Sequence, residues 1–257
     1  MQRISLLLTA GALAFGQLVA DHATAADLFL VHGINGEDVG ADEEFPVDIL
    51  IDLPPDGVGP EDVCLSGVEF TDTLGPETLE AGLYGVEIHE AVVVENGLTS
   101  CEGALIVADV LSISEIETAI ILAHLDAQGA PVVSKFTVNA SELDESEVRL
   151  SAIHAAVLGA VDIEILERDT GEETIFTNVL NGQQTFPFEG EDGRYRIQIL
   201  DAGTGDSLDR RNVTLDEGEV GVGVLVGSGA NDTLEILRLL IDTTEPTLPM
   251  VADEGAE

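Results

Sequence analysis

The one stretch whose residue types suggest catalysis is Leu30-Val31-His32-Gly33-Ile34-Asn35-Gly36. A His-Gly pair after a buried strand can aim backbone N–H groups at a developing oxyanion. Acyl transfer of that kind also needs a nucleophile on a sharp strand-to-helix turn, G-x-S-x-G, and the chain holds no such motif. The nearest approach, His124-Leu125-Asp126-Ala127-Gln128-Gly129, has the wrong spacing. His154 ends a second strand-like run, Leu150 to Ile153, but no glycine follows it. Neither histidine has the H-x-x-x-H spacing of a zinc site. His32 and His154 are therefore expected to hydrogen-bond a neighbouring strand, with Asp48 and Asp162 as partners. No catalytic, cofactor-binding or metal-ligating residue is assigned, and the chain is expected not to be an enzyme.

Acidic side chains are the other chemical resource. The chain carries 50 Asp and Glu against 9 Lys and Arg, a formal net charge of −41. Clusters lie at Glu37-Asp38, Asp42-Glu43-Glu44, Asp52 with Asp56, residues 189–192 and Asp216-Glu217. Calcium needs several oxygens on one tight loop, and no D-x-D-x-D-G loop is present. Loop calcium stays open as an expectation; solvated surface is the default. The surface repels itself at low salt, and screening shortens to about 3 Å at 1 M. With one lysine, Lys135, the balance suits a salty exterior. Nucleic acid is excluded as a direct partner, because phosphate binding needs clustered cations and the basic pair Arg210-Arg211 sits beside Asp209.

The N-terminus reads as an export signal: Arg3, a mostly apolar run over residues 4–19, then Ala23-Thr24-Ala25 as a cleavage site. Residues 1–25 are taken as that signal. No later run approaches the ~18 uninterrupted apolar residues of a membrane span, so the mature chain is expected not to span a membrane. Export makes a disulfide the first reading of the only two cysteines, Cys64 and Cys101, with a stabilisation of about 3–4 kcal/mol.

An internal repeat organises the rest. Residues 28–32 match 150–154, residues 46–51 match 160–165, residues 81–88 match 192–199, and residues 117–122 match 219–224. Four blocks recur in one order, and the only two tyrosines, Tyr84 and Tyr195, fall on each other. The offset shrinks along the chain because the first copy has extra residues at 33–44 and 92–103. The repeat also decides an ambiguity. Residues 112–123 have helical spacing and a capping-box pair, Ser114 and Glu117. Their counterpart, Val220-Gly221-Val222-Gly223-Val224, alternates valine with glycine and suits only a strand. Both are read as strands. With 45% apolar residues but only 4% aromatic, the cores are aliphatic.

These signals predict an all-β protein of two tandem immunoglobulin-like β-sandwich domains with six to seven strands each. Residues 26–140 form the first repeat, 147–243 the second, and 244–257 a disordered acidic tail. The blocks resemble the exported bacterial domain family of unknown function numbered 4397. A strand ending in histidine, a Pro/Ala-x-Asp strand and a Gly-x-Tyr opening carry the resemblance. The matching residues are His32, Asp48, Gly82 and Tyr84, then His154, Asp162, Gly193 and Tyr195. The family's Ser-Pro-Asp-Ala-Pro loop after the histidine is replaced in both copies, by Gly33-Ile34-Asn35-Gly36 and Ala155-Ala156-Val157-Leu158. The resemblance implies a β-sandwich outside the cytoplasm and no established activity. The expected role is structural, or binding of a ligand or cell-surface protein partner, in the periplasm or outside the cell.

Overall fold

The computed structural model describes residues 25–41, 45–52, 63–92 and 101–243. The expected signal segment, apart from Ala25, and the expected tail lie outside them. The first half runs β1 (Ala25–His32), a short turn of helix α1 (Gly36–Val39), β2 (Val47–Asp52), β3 (Val63–Val68), β4 (Thr73–Glu80), β5 (Gly82–Glu90), β6 (Leu105–Ile113), β7 (Thr118–Leu125) and β8 (Pro131–Val138). The second half runs β9 (Glu147–His154), β10 (Val161–Glu167), β11 (Glu173–Val179), β12 (Gln183–Gln184), β13 (Phe188–Glu191), β14 (Gly193–Asp201), β15 (Ser207–Leu215), β16 (Glu219–Val226) and β17 (Glu235–Asp242).

Each half is a β-sandwich. In the first, the sheet β4-β1-β7-β8 faces the sheet β3-β2-β5-β6. In the second, β12-β9-β16-β17 faces β11-β10-β14-β15, with β13 continuing the edge beside β9. β12 and β13 together do in the second half what β4 does in the first, so each sandwich has eight strand positions rather than six or seven. The strands missed from sequence are edge strands such as β4, Thr-Leu-Gly-Pro-Glu-Thr-Leu-Glu, exposed along much of its length and carrying a proline. An edge strand tolerates proline and shows little apolar alternation.

The repeat holds to the residue. Asp27 pairs with Thr118 in the parallel contact of β1 with β7, and Arg149 pairs with Val220 in that of β9 with β16. The antiparallel partners Tyr84↔Leu111 and Tyr195↔Val213 correspond in the same way. Residues 112–123 are strand, turn and strand. Ser114 N–H donates to the Glu117 carboxylate at 2.9 Å, but between β6 and β7 rather than at a helix start. Asp216 N–H and Glu219 repeat that bond at 2.8 Å.

The two sandwiches also stack on each other. One core lies between the sheets of the first sandwich and another between those of the second. A third joins Phe29, Val31, Ile120, Leu122 and Phe136 of the first to Val220, Val222, Val224 and Leu239 of the second. The molecule is thus four sheets deep, and its two middle sheets are covered on both faces. That is why β1, β7, β9 and β16 read as continuous buried runs, while β10 and β14 alternate. In β16 the valines face the joint. Gly221 and Gly223 face inward, where a Cβ on Gly221 would come within 2.7 Å of Leu150. Each Val, Leu, Ile or Phe in the joint contributes about 1.5–3 kcal/mol by burial, enough to couple the halves.

Candidate functional site

The eight repeat residues fall at structural joints. His32 and His154 end β1 and β9 and are fully buried. His32 Nε2–H donates to the Phe45 carbonyl at 3.3 Å, and His154 Nε2–H to that of Gly159 at 3.0 Å. His154 Nδ1 accepts from Ala156 N–H at 3.3 Å, whereas His32 Nδ1 is buried with no partner among the described residues. Burial pushes the His32 pKa down to about 4 against the opposing pull of the Phe45 carbonyl and Asp72. It lowers His154 as well, with His124 adding to the effect. Both rings are neutral props for the loop after their strand.

The aspartates do not pair with them as expected. Asp48 Oδ1 accepts from Gly67 N–H and Asp162 Oδ1 from Asn178 N–H, both at 2.8 Å. Gly67 and Asn178 have φ of 66° and 56°, and the strand register shifts beside each aspartate. Each aspartate pins a β-bulge, where an N–H leaves the ladder and needs another acceptor. Backbone carbonyls reach the histidines first, which leaves the carboxylates for the bulges. Tyr84 O–H donates to the Glu80 carbonyl at 2.7 Å, and Tyr195 O–H to that of Glu191. Each phenol clamps the step by which the chain crosses between sheets, much like a tyrosine corner. Gly82 and Gly193 occupy that step. A Cβ on Gly82 would touch the Tyr84 ring at 3.4 Å, and Gly193 has a φ of 155°.

Cys64 and Cys101 form a disulfide with Cα atoms 6.0 Å apart, tying β3 to the segment before β6. His89 anchors the same segment from β5. Its Nδ1 lies 3.0 Å from the Gly103 carbonyl and its Nε2 2.9 Å from Glu87 Oε2. Both neighbours are acceptors, so only the imidazolium satisfies both. Burial opposes the charge, but the Gly103 carbonyl, Glu87 and Asp48 outweigh it and raise the pKa.

Sequence reasoning missed two clefts. One, of about 490 Å³, opens where the sandwiches meet and is lined by His124, Asp126, Ser134, Asp109 and Asn181. His124 Nδ1–H donates to the Leu125 carbonyl and Nε2 accepts from Ser134 Oγ–H, each at 2.9 Å. Burial lowers the His124 pKa despite the Leu125 and Ala155 carbonyls and Asp126. A serine on a neutral imidazole is the start of a nucleophile pair, but the ring is oriented by a carbonyl, which cannot support an imidazolium as a carboxylate does. Asn181 Nδ2 bridges the Leu125 and Ala156 carbonyls here, at 3.0 and 2.7 Å, so the site also fastens the two halves.

The other cleft, of about 450 Å³, belongs to the second sandwich and collects Glu145, Glu147, Glu167, Glu172, Glu189 and Glu191, with Phe188 in its wall. Part of the acidic run 189–192 lies here. Glu189 is engaged by Arg149 at 2.9 Å. Glu167 as a whole residue is 7% exposed; its carboxylate has no hydrogen-bond or ion-pair partner among the described residues, and its oxygens are not among the fully buried unpartnered atoms. Burial pushes the Tyr195 pKa up to about 12, and Glu167, Glu191, Asp192 and Glu172 add to it. Of the other acidic runs, Asp38 accepts from Asn231 Nδ2 and Thr233 Oγ1, each at 2.8 Å, across the joint. Asp42-Glu43-Glu44 and Asp56 lie outside the described residues. Among the described residues, no three His, Cys, Asp or Glu side chains are arranged to hold a metal ion, and no helix is long and apolar enough to cross a membrane.

No family model and no curated protein matches the chain. Solved structures do. The tip fimbrial protein Mfa3 of Porphyromonas gingivalis is 9% identical, over 84% of this chain and 99% of that one, with a TM-score of 0.31. The fimbrial anchor protein Mfa2 of the same organism is 7% identical, over 85% and 98%, with a TM-score of 0.23. The Bacillus anthracis TIE protein is 14% identical over 80% of this chain, with a TM-score of 0.23, and the match spans 34% of the TIE chain. At these scores the likeness carries no argument about role.

Proposed function

We propose that the chain is an exported, non-enzymatic protein of the cell envelope or exterior, a member of the family numbered 4397, that serves as a rigid structural or binding body. The sheet-on-sheet joint carries this reading. Two sandwiches on a flexible linker would move independently. Here a shared core, the Asn181 bridge and the Asp38 bridge hold them as one block with loops at its surface. The buried histidines are taken up by loop and joint support, and the disulfide suits an oxidising compartment.

The test is fractionation of cells expressing the full chain, with thiol labelling of Cys64 and Cys101. The expected result is protein outside the cytoplasm, accessible to added protease once the outer layers are opened, with both cysteines oxidised. Retention in the cytoplasm with reduced cysteines overturns the reading.

A further inference from the structure

We infer that the glutamate-lined cleft of the second sandwich is a docking site for an arginine side chain presented by a partner protein. This rests on the binding-body reading and names what is bound. Glu167 carries it. The residue keeps little contact with solvent, and its carboxylate lines the cleft without a protein partner among the described residues. The nearby cations are committed elsewhere: Arg149 to Glu189, Arg194 to Asp169, and Arg168 to Asn212. Glu167 faces a cleft of about 450 Å³, which suits a side chain better than a bare ion.

The chemistry of the wall selects the cation. A metal ion needs oxygens converging on one point, and the described carboxylates do not converge. A guanidinium is broad and planar, presents five donors, and is more weakly hydrated than an ammonium. Glu167 in the depth with Glu172 and Glu191 at the rim can share those donors, and Phe188 offers an aromatic surface for a guanidinium or its aliphatic stem. Phe188 is itself steadied by an edge contact with Tyr195, their ring centres 5.9 Å apart. In the first sandwich the residue aligned with Glu167 is Leu53, so the feature is not part of the repeat.

The test is an NMR titration of the isotope-labelled full mature chain with Ac-Gly-Arg-Gly-NH2 in 0.5 M NaCl. The citrulline and lysine peptides and CaCl2 run in parallel. Saturable shifts are expected at the amides of Glu167, Thr170, Glu172 and Glu189 to Glu191. Lysine should bind several-fold more weakly and citrulline should not saturate. Glu167→Gln should weaken arginine binding roughly tenfold or more, as the loss of charged hydrogen bonds predicts. Glu77→Gln on β4 should leave it unchanged. If Glu167→Gln does not fold, the exposed rim variant Glu172→Gln replaces it, with a two- to threefold loss expected. Shifts spread over the whole acidic surface, citrulline binding as well as arginine, indifference to the cleft variants, or calcium saturating the same amides and excluding the peptide would each overturn the site. Those results would leave the exported location intact, and a cytoplasmic protein would leave the cleft chemistry intact, so the two proposals fail separately.

Discussion

Acid should weaken this protein through His32 before its carboxylates titrate. The His32 folded-state pKa is about 4 against an ordinary 6.5, because the ring is buried with Nδ1 unpartnered among the described residues. A histidine held neutral contributes stability that is complete above pH 6.5. That contribution erodes as pH falls toward 4, because the unfolded chain binds the proton first. At about 1.4 kcal/mol per pKa unit, the loss is roughly 2 kcal/mol by pH 5 and about 3 kcal/mol below pH 4. His32→Gln keeps an N–H for the Phe45 carbonyl and removes the titration. Urea unfolding of both proteins at constant 1 M NaCl, at pH 7.5, 6.5, 5.5 and 5.0, isolates the term, since the carboxylates, His124 and His154 cancel in the difference. The variant should be less stable at pH 7.5 by about 1 kcal/mol and should gain about 2 kcal/mol relative to the wild type by pH 5. A stability difference that stays flat across this range would refute the claim that His32 is neutral in the fold.

Gly33→Ala should destabilise the whole molecule in one transition by about 1–3 kcal/mol, because the added Cβ would lie 2.6 Å from Val226 across the joint. Calorimetry checks it, and a change confined to one of two separate transitions would mean that the halves unfold independently. Tyr84→Phe should cost about 1–2 kcal/mol in denaturant unfolding by leaving the Glu80 carbonyl without its donor, with little change in m-value.

What could be read in the chain followed from repetition. Val-Gly alternation in β16 forced a strand, and its counterpart β7 inherited that assignment despite helical spacing at Ile113, Ile116 and Ile120. The structure supplies the reason for the false period: β7 is covered on both faces, so its apolar residues need not alternate. Ile116, which completed the helical pattern, sits in the turn with φ 57° and 79% exposure. The disulfide was legible because only one pairing exists. The histidine partners were not, because backbone carbonyls recruit the rings and sequence does not display carbonyls. The joint was hidden for the same reason as β7: a doubly covered strand looks only more hydrophobic. The acidic cleft was half visible. The run 189–192 stood out, but Glu167 looked like one more glutamate on an alternating strand.

The difference between Glu167 and the other acidic residues decides how such a protein could recognise anything. A net charge of −41 attracts cations everywhere, and exposed carboxylates contribute little that survives salt. At 0.5–1 M salt the screening length falls to a few ångströms, and the long-range field of the surface fades. A carboxylate withdrawn from solvent keeps its interaction, because ions cannot enter between it and a partner that fills the cleft. Specificity on this surface should therefore come from the few buried acids and not from the many exposed ones. Arginine binding at the cleft should decline with salt far less steeply than general cation binding, and a parallel decline would show that Glu167 is as solvated as the rest.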